Sequence, residues 1–303
     1  MVTTEFKEKI LDGLRTKLGS DVIVSSMDVV KNNDVKLTGI RFLSKRSEAS
    51  PVLYFNNLYQ KYEEFNQDFD ETLKYAVEFY EQNKVTEVSP MRWITEYENV
   101  KNLLGVRLVN REFNKEYLVD KPHKEFLDLA IIFTVDLAMF NNAASVIVVT
   151  ENLFNSWGVS LDELYNDALE NYRKNNKVVF NSMSDVVADI LASEGIEGAK
   201  LLESVHDSDN FMYVLSVESR VGGSGLMLYK DILGRIAEQL DSDLIIIPSS
   251  VHELIILRDD ESMKAESIYA MVKDVNDTQV APQDILSYSV YHFSQETTEI
   301  SIL

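Results

Sequence analysis

The spacing of apolar residues predicts a helix near the start of the chain, followed by three strands. Phe6, Ile10 and Leu14 recur at helical spacing, and Gly19 stands where a glycine would end the helix. Apolar and polar residues then alternate, with turn-forming residues between the alternating segments. Strands are predicted at residues 21–30, 35–43 and 51–55.

The next part of the chain gives two clear helices and one ambiguous segment. Acidic, aromatic-rich helices are predicted near residues 58–65 and at 68–83, the second with acids in its first turn, where the helix dipole favours anions. Residues 90–119 are harder to interpret. Trp93, Tyr97, Val100 and Leu104 have helical spacing, and residues 105–109 then favour a strand.

The pattern sharpens again from Phe126. Residues 126–138 predict one long strand, Asn141 and Asn142 a turn, and residues 145–150 a returning strand. The pair Ser160 and Glu163 forms a capping box that opens a helix. Helices are predicted at residues 151–157, from 160 to about 172, at 182–193, at 231–240 and at 261–275. Strands are predicted at residues 211–217, 225–229, 243–247, 251–257, 285–293 and 298–303.

Hairpins that alternate with helices indicate the α+β class, with antiparallel sheets packed against helices. We expect two lobes with strand-turn-strand-helix units, an N-terminal lobe of residues 1–120 and a C-terminal lobe of residues 121–303. Segments 126–172 and 211–240 share one order of strand, turn, strand and helix. A diverged internal duplication and a coincidence of a common arrangement both explain this order.

Composition narrows the class of protein. The 303 residues are 45% apolar and 26% charged, which is ordinary for a globular chain. There is no cysteine, so disulfides, thiolate metal sites and cysteine nucleophiles are excluded together. The first residues lack the apolar core of a secretory signal, and no apolar stretch approaches the roughly 18 residues that span a bilayer. We expect a cytoplasmic protein that does not bind membranes.

The charge excludes one class of partner and suggests another. With 29 basic and 50 acidic residues, the net charge of −21 repels phosphate backbones, so we expect no direct binding to a nucleic-acid backbone. Residues 201–303 carry 18 acidic and 6 basic residues, a net charge of −12. This excess fits a solvated surface that keeps the protein soluble, or a surface that resembles DNA phosphates, as in anti-defence proteins.

Two groups of motifs carry a resemblance to a known family. They are residues 145–153 with the Trp157-Gly158-x-Ser160 helix start, and residues 244–257 followed by 271–276 and 279–282. Together they resemble an uncharacterised family of bacterial proteins, a domain of unknown function common in gut Clostridia. The helix start is also similar to one in a second uncharacterised family from Gram-positive bacteria. The resemblance covers nearly the whole chain and implies a bacterial, cytoplasmic protein without an assigned activity.

The clearest candidate for chemistry is the segment of residues 248–253. His252-Glu253 invites comparison with the zinc-protease pattern H-E-x-x-H, but the second histidine position is Ile256, so that class is excluded. A relay from Ser249 or Ser250 to His252, with Glu253 nearby, lacks the G-x-S-x-G turn. A hairpin turn with locally bonded side chains explains the same residues. A ligand or partner site and a structural turn both remain open here.

Other polar motifs fail the templates they suggest. His123, His206 and His292 have no partners at metal-ligand spacing. The glycine-rich run 222–225 precedes a predicted strand and has no G-K-[ST], so it favours a hairpin turn over a phosphate loop. Asp259-Asp260-Glu261 lacks calcium-loop spacing. We therefore expect no cofactor and no metal.

The densest aromatic cluster is interleaved with acids and has two interpretations. Its spacing fits a helix core, while aromatic residues with acidic flanks also fit a surface that binds a protein partner. The leading hypothesis is a non-enzymatic interaction or regulatory protein whose partner is another protein. The alternatives are an acidic DNA mimic and a hydrolase or ligand-binding enzyme that uses Ser250, His252 and Glu253. The cluster consists of Tyr54, Phe55, Tyr59, Tyr62, Phe65 and Phe69.

Overall fold

The computed structural model describes residues 2–44, 51–84, 93–137, 146–193, 212–259 and 265–303. The chain forms two compact units, Met1–Val100 and Lys101–Leu303. This division falls earlier in the chain than the lobe boundary at residue 120 that the sequence suggested. Among the described helices, none is long and apolar enough to cross a membrane.

The first unit packs helices against a three-stranded antiparallel sheet with the order β1-β2-β3. Its core contains the buried side chains of Phe6, Ile10 and Leu14 from the first helix, together with Ile40 and Phe42 from the sheet. The elements are α1 (Thr4–Leu18), β1 (Val22–Val30), β2 (Lys36–Ser44), β3 (Val52–Tyr54), α2 (Phe55–Glu64), α3 (Phe69–Asn83) and the short α4 (Tyr97–Val100).

Local signals in the sequence explain the ends of these helices. The hydroxyl of Thr3 accepts a hydrogen bond from Phe6 N–H at the start of α1, and Gly19 follows its end with a φ of 68°. Asp68 caps α3 by accepting from Asp70 and Glu71 N–H. The structure confirms the predicted helices α1 and α3 and the predicted strands β1, β2 and β3.

The second unit contains two further antiparallel sheets and five helices among its described residues. In the smaller sheet, β4 pairs along one edge of β6, while β5 and β7 pair with the other. The six-stranded sheet has the order β13-β12-β10-β11-β9-β8. The strands are β4 (Leu104–Asn110), β5 (His123–Phe126), β6 (Leu129–Asp136), β7 (Val146–Val148), β8 (Val178–Ser182), β9 (Met212–Val217), β10 (Leu244–Ile247), β11 (Leu254–Arg258), β12 (Tyr291–Phe293) and β13 (Ile300–Ile302). The helices are α5 (Glu151–Trp157), α6 (Leu161–Asn175), α7 (Met183–Ser193), α8 (Lys230–Leu240) and α9 (Ala265–Thr278).

The strand predicted at residues 126–138 is confirmed over Leu129–Asp136, but its predicted start at Phe126 is wrong. The chain instead turns between β5 and β6, where Leu127 takes a left-handed φ of 54°. Leu127 is a residue type that rarely adopts this conformation, so the sequence carries no turn signal there. The continuous apolar pattern belongs to β6 alone, which is buried from Leu129 to Val135. The predicted turn at residues 141–142 lies outside the described residues.

The strand predicted at residues 225–229 is also wrong, because Gly223–Leu228 forms a 3₁₀ helix. Its glycines serve close packing: a Cβ on Gly225 would lie 2.9 Å from Cζ of Tyr172. Segment 211–240 therefore lacks the second strand on which a duplication of segment 126–172 rested. The strands at the end of the chain are shorter than predicted, and His252 and Glu253 precede β11 instead of lying within it.

Together, the three antiparallel sheets and their packed helices confirm the predicted α+β class.

Candidate functional site

The loop of residues 248–253 joins β10 to β11 and holds all four of the predicted site residues. Within this loop, His252 N–H donates to Ser250 Oγ at 3.0 Å, and Ser249 Oγ donates to Glu253 Oε1 at 3.2 Å. Serine hydroxyl groups in turns often bond to neighbouring groups in this way. The structure therefore brings Ser249, Ser250, His252 and Glu253 together, and it engages both hydroxyl groups inside the loop.

The imidazole ring of His252 has a polar neighbour at each nitrogen. Nδ1 accepts a hydrogen bond from Gly222 N–H at 3.2 Å, and Nε2 lies 3.6 Å from Oδ1 of Asp284. A nitrogen that accepts from an amide carries no proton, so the neutral ring has its proton on Nε2, facing Asp284. Because both side chains are more than a third exposed, we expect little stability from the contact between Nε2 and Asp284.

The main chain of the loop is tied to three other segments of the second unit. Val251 N–H donates to the carbonyl of Asp284 at 2.8 Å, and the carbonyl of Val251 accepts from Ser224 Oγ at 2.7 Å. The carbonyl of His252 accepts from Ser216 Oγ at 2.8 Å. Such bonds satisfy main-chain groups that would otherwise be costly to bury. The loop is thus fixed against β9, the glycine-rich run 222–225 and Asp284.

This geometry does not assemble a serine-histidine relay. A relay needs a serine hydroxyl that donates to an imidazole nitrogen, which then takes the proton. Here Ser250 Oγ accepts from the main chain of His252, and Nδ1 is occupied by Gly222 N–H. Among the described residues, no serine hydroxyl bonds to the His252 ring. The arrangement orients a loop and activates no nucleophile.

The remaining histidines that the structure describes occupy separate places. Nδ1 of His123 lies 2.8 Å from the carbonyl of Lys121 at the start of β5. Nε2 of His292 lies 3.3 Å from Asp243 and 3.4 Å from Asp259. His206, Asp260 and Glu261 fall outside the described residues. Within the parts of the chain that are described, no group of three or more histidine or acidic side chains is arranged to hold a metal ion.

A polar cluster that sequence reasoning missed surrounds Asp128 at the turn between β5 and β6. Its carboxylate accepts from the hydroxyls of Tyr291 at 2.7 Å, Ser287 at 2.8 Å and Ser289 at 2.9 Å. Burial and the Asp128 carboxylate raise the pKa of Tyr291. The hydroxyl-bearing residues at every second position, 287, 289 and 291, were the one feature of the sequence that pointed to this cluster. Nothing in the sequence identified Asp128 as their acceptor, because it lies 163 residues before Tyr291. The cluster ties the turn to the segment that leads into β12.

The predicted aromatic cluster divides between core and surface in the first unit. Phe55 is fully buried, whereas Tyr59, Tyr62 and Phe69 are partly exposed and pack around Phe6. The ring centroids of Phe6 lie 5.1 Å from Tyr59, 5.0 Å from Tyr62 and 5.6 Å from Phe69. These separations are typical of favourable contacts between aromatic rings.

The rings of Phe6, Tyr59, Tyr62 and Phe69 line a groove of about 270 Å³, which we call the aromatic groove. Lys9 lies at this groove with its Nζ 3.5 Å from the centre of the Phe69 ring, a cation–π contact. The groove therefore combines apolar ring faces with one positive charge, from Lys9, and one negative charge, from Glu5. Its lining residues are Thr3, Glu5, Phe6, Lys9, Tyr59, Tyr62, Gln67 and Phe69.

Comparison with known proteins gives one family. The model of a family of unknown function, DUF5688, matches residues 3–295. No curated protein and no solved structure matches the chain. The match covers nearly the whole chain, as the resemblance in the sequence motifs indicated.

Proposed function

The chain belongs to the DUF5688 family, and we propose that it is a non-enzymatic interaction protein that binds another protein through the aromatic groove. The observation that carries this proposal is the groove itself, where Tyr59, Tyr62 and Phe69 stay partly exposed around Phe6. Aromatic residues are enriched where proteins bind each other, because a large rigid ring buries much area at low entropic cost. A cytoplasmic, bacterial setting is part of the same proposal.

The lining of the groove indicates the chemistry of its partner. Tyr62 and Phe69 are in contact, with their ring centroids 4.7 Å apart, and their outer faces suit a large apolar side chain that would act as an anchor against them. Lys9 is exposed and adds a positive charge beside the Phe69 ring, so an acidic residue that approaches this ring would be favoured over one that approaches Glu5. We therefore propose that the partner offers a protein segment with an apolar anchor and an acidic flank.

The alternative of a hydrolase receives less support from the same structure. The hydroxyl of Ser250 accepts from the main-chain N–H of His252, and the His252 ring accepts from Gly222 N–H, so the hydroxyl and the ring are not bonded to each other. The alternative of a DNA mimic also receives less support. Four acids in the last third, Glu218, Asp231, Asp277 and Glu299, pair with lysine or arginine side chains, whereas a mimic needs carboxylates that face outward in a row.

A peptide selection tests the proposal directly. The full chain would be immobilised and used to select from a library of random peptides displayed on phage. We expect selected peptides to share an apolar anchor with an acidic neighbour. Their affinity should fall about tenfold or more in Tyr62→Ala, because truncating an interface aromatic costs 1–2 kcal/mol or more.

Phe65→Ala is the matched control for this experiment. Phe65 is a partly exposed aromatic on the same segment, but it contacts Tyr75 and does not line the groove. Peptide affinity should therefore stay within about twofold of the unmodified protein. Selection of no peptide, or equal loss of affinity in both variants, would refute binding at the groove.

A further inference from the structure

Arg107 occupies an unusual position for a charged residue. It lies in the middle of β4, directly opposite Ile132 of β6. Residues opposite each other in an antiparallel pair share a face, and so do residues two apart along a strand. Arg107 therefore shares a face with Ile132 and Val109, which belong to an apolar cluster. The cluster consists of Val109, Leu118, Ala130 and Ile132, with Tyr117 and Val148 packed against it.

The guanidinium group of Arg107 has no partner in the part of the chain that the structure describes. It makes no hydrogen bond and no ion pair there, although its side chain is half-buried. Burial lowers the pKa of Arg107, while Tyr117, Tyr172 and the carboxylate of Asp136 act in the opposite direction. A charge withdrawn from water without a partner is costly, so folded proteins seldom leave a guanidinium in this state.

The surroundings of Arg107 are held firmly in place. Its Nε lies 3.8 Å from the position that a Cβ would take on Gly222, whose φ of 73° favours glycine. Gly222 is bonded on both sides, since its N–H donates to Nδ1 of His252 and its carbonyl accepts from the Tyr172 hydroxyl at 2.7 Å. The main chain beside the Arg107 side chain is thus held by two hydrogen bonds and carries no side chain at Gly222.

Tyr117 interacts with Arg107 and also contacts a second cation, Lys121. Tyr117 packs beside the same apolar cluster, and burial raises the pKa of its hydroxyl, which keeps its proton. Nζ of Lys121 lies 4.0 Å from the centre of the Tyr117 ring and also bonds to the exposed Asp120. Tyr117 therefore interacts with both Arg107 and Lys121, and Asp136 acts on Arg107 while Asp120 pairs with Lys121.

We propose that Arg107, together with Tyr117, binds the oxyanion of a small ligand, either a phosphate or a carboxylate group. A guanidinium presents a planar fork of N–H donors that matches two oxygens of such a group. A bound oxyanion would supply the hydrogen-bond partner that the Arg107 guanidinium lacks among the described residues, and would add to the electrostatic effect of Asp136. This site lies in the second unit, whereas the aromatic groove lies in the first. The two proposals can therefore be tested separately.

Anion-dependent thermal stability tests this site. The full chain would be heated with increasing inorganic phosphate or malonate, and with sodium chloride at matched ionic strength. A ligand that binds only the folded state raises Tm as its concentration rises. We expect phosphate or malonate to raise Tm beyond the chloride control. Comparison of these two series identifies whether a phosphate or a carboxylate is preferred.

Arg107→Gln should abolish this anion-dependent rise. The matched control is Arg111→Gln, which removes an exposed arginine just beyond the same strand, paired with Glu125 at 2.6 Å. This control should respond to anions like the unmodified protein. Because Arg107→Gln removes a half-buried charge without a hydrogen-bond partner among the described residues, its Tm in anion-free buffer should be equal to or above that of the unmodified chain. Should this variant fail to fold, Arg107→Lys keeps the charge without the fork and should weaken anion affinity about tenfold.

Two results would overturn the proposal. One is a Tm that responds to phosphate and malonate no more than to chloride. The other is an anion response that persists unchanged in both Arg107→Gln and Arg107→Lys. Either outcome would leave Arg107 as a structural residue whose guanidinium is solvated by water.

Discussion

Nδ1 of His252 accepts a hydrogen bond from the main-chain N–H of Gly222, 3.2 Å away, and this bond joins two loops of the second unit. It fixes the proton of the neutral ring on Nε2 and holds Gly222 beside Arg107. The histidine that most resembled a catalytic residue in the sequence is thus an acceptor for the main chain. Its structural role leads to a measurable prediction.

Replacement of His252 by alanine should destabilise the protein by about 1–2 kcal/mol, because Gly222 N–H loses its acceptor. His252→Asn places an amide oxygen nearby and should recover part of this loss. Urea unfolding, monitored by circular dichroism, measures the difference. A His252→Ala protein as stable as the unmodified chain would show that the bond contributes nothing.

The Asp128 cluster predicts a graded series of stability losses. Tyr291→Phe removes one donor and should cost about 1–2 kcal/mol, whereas Asp128→Ala leaves three hydroxyls without their acceptor and should cost more, about 3–5 kcal/mol. Glu125→Gln, on the exposed side of the same hairpin, is the control and should cost less than about 1 kcal/mol. Equal effects of Asp128→Ala and Glu125→Gln in urea unfolding would contradict the series.

Three buried tyrosines predict a loss of stability at alkaline pH. Burial raises the pKa of Tyr172, Tyr229 and Tyr291 above the ordinary value of about 10. Above that value the unfolded chain loses these protons while the folded chain keeps them, so the folded state binds more protons. Stability is therefore fully present below pH of about 10 and falls as pH rises further.

Ultraviolet absorbance of tyrosinate measures this alkaline transition. Tyr172, Tyr229 and Tyr291 should lose their protons at a higher pH than exposed tyrosines and at the same pH as unfolding. In Tyr291→Phe, the amplitude of this transition should fall by one tyrosine. Ionisation of every tyrosine near the ordinary pKa, with the fold intact, would contradict the burial of these hydroxyls.

Two glycines with different surroundings should respond oppositely to alanine. Gly225→Ala brings a Cβ within 2.9 Å of the Tyr172 ring, and we expect a loss of about 1–3 kcal/mol from overpacking. Gly234→Ala, within α8, meets an ordinary contact with Phe293 at 4.0 Å and should gain up to about 1 kcal/mol from helix propensity. Thermal unfolding of both variants checks the signs. The same sign in both would contradict the packing around Gly225.

Local periodicity and capping were sufficient to predict many elements of the fold. The α1 helix follows from the spacing of Phe6, Ile10 and Leu14 and from its terminal glycine, and each of these signals lies within a few residues. The errors occurred where tertiary contacts decide the conformation. Leu127 takes a left-handed turn that its residue type does not signal, and Gly225 is required by the ring of Tyr172 instead of by a hairpin.

The candidate sites divide in the same way. The contiguous residues 248–253 were predicted as a group, and the structure brings them together as a loop. Their long-range partners Gly222 and Asp284 could not be read from the sequence. The Asp128 cluster and the unpaired state of Arg107 depend on residues far apart in the chain, for which one sequence offers no pairing signal. The aromatic groove was foreseen by composition, but its division into core and exposed rings is geometric.

Hydrogen exchange of the full chain tests the central proposal most directly. Exchange would be followed by mass spectrometry with and without a peptide selected from the phage library. We predict slower exchange in residues 3–9 and 59–69, which line the aromatic groove, and unchanged exchange in residues 248–253. Slower exchange in residues 248–253, with no change at the groove, would contradict binding at the groove and would indicate that the 248–253 loop is the binding site.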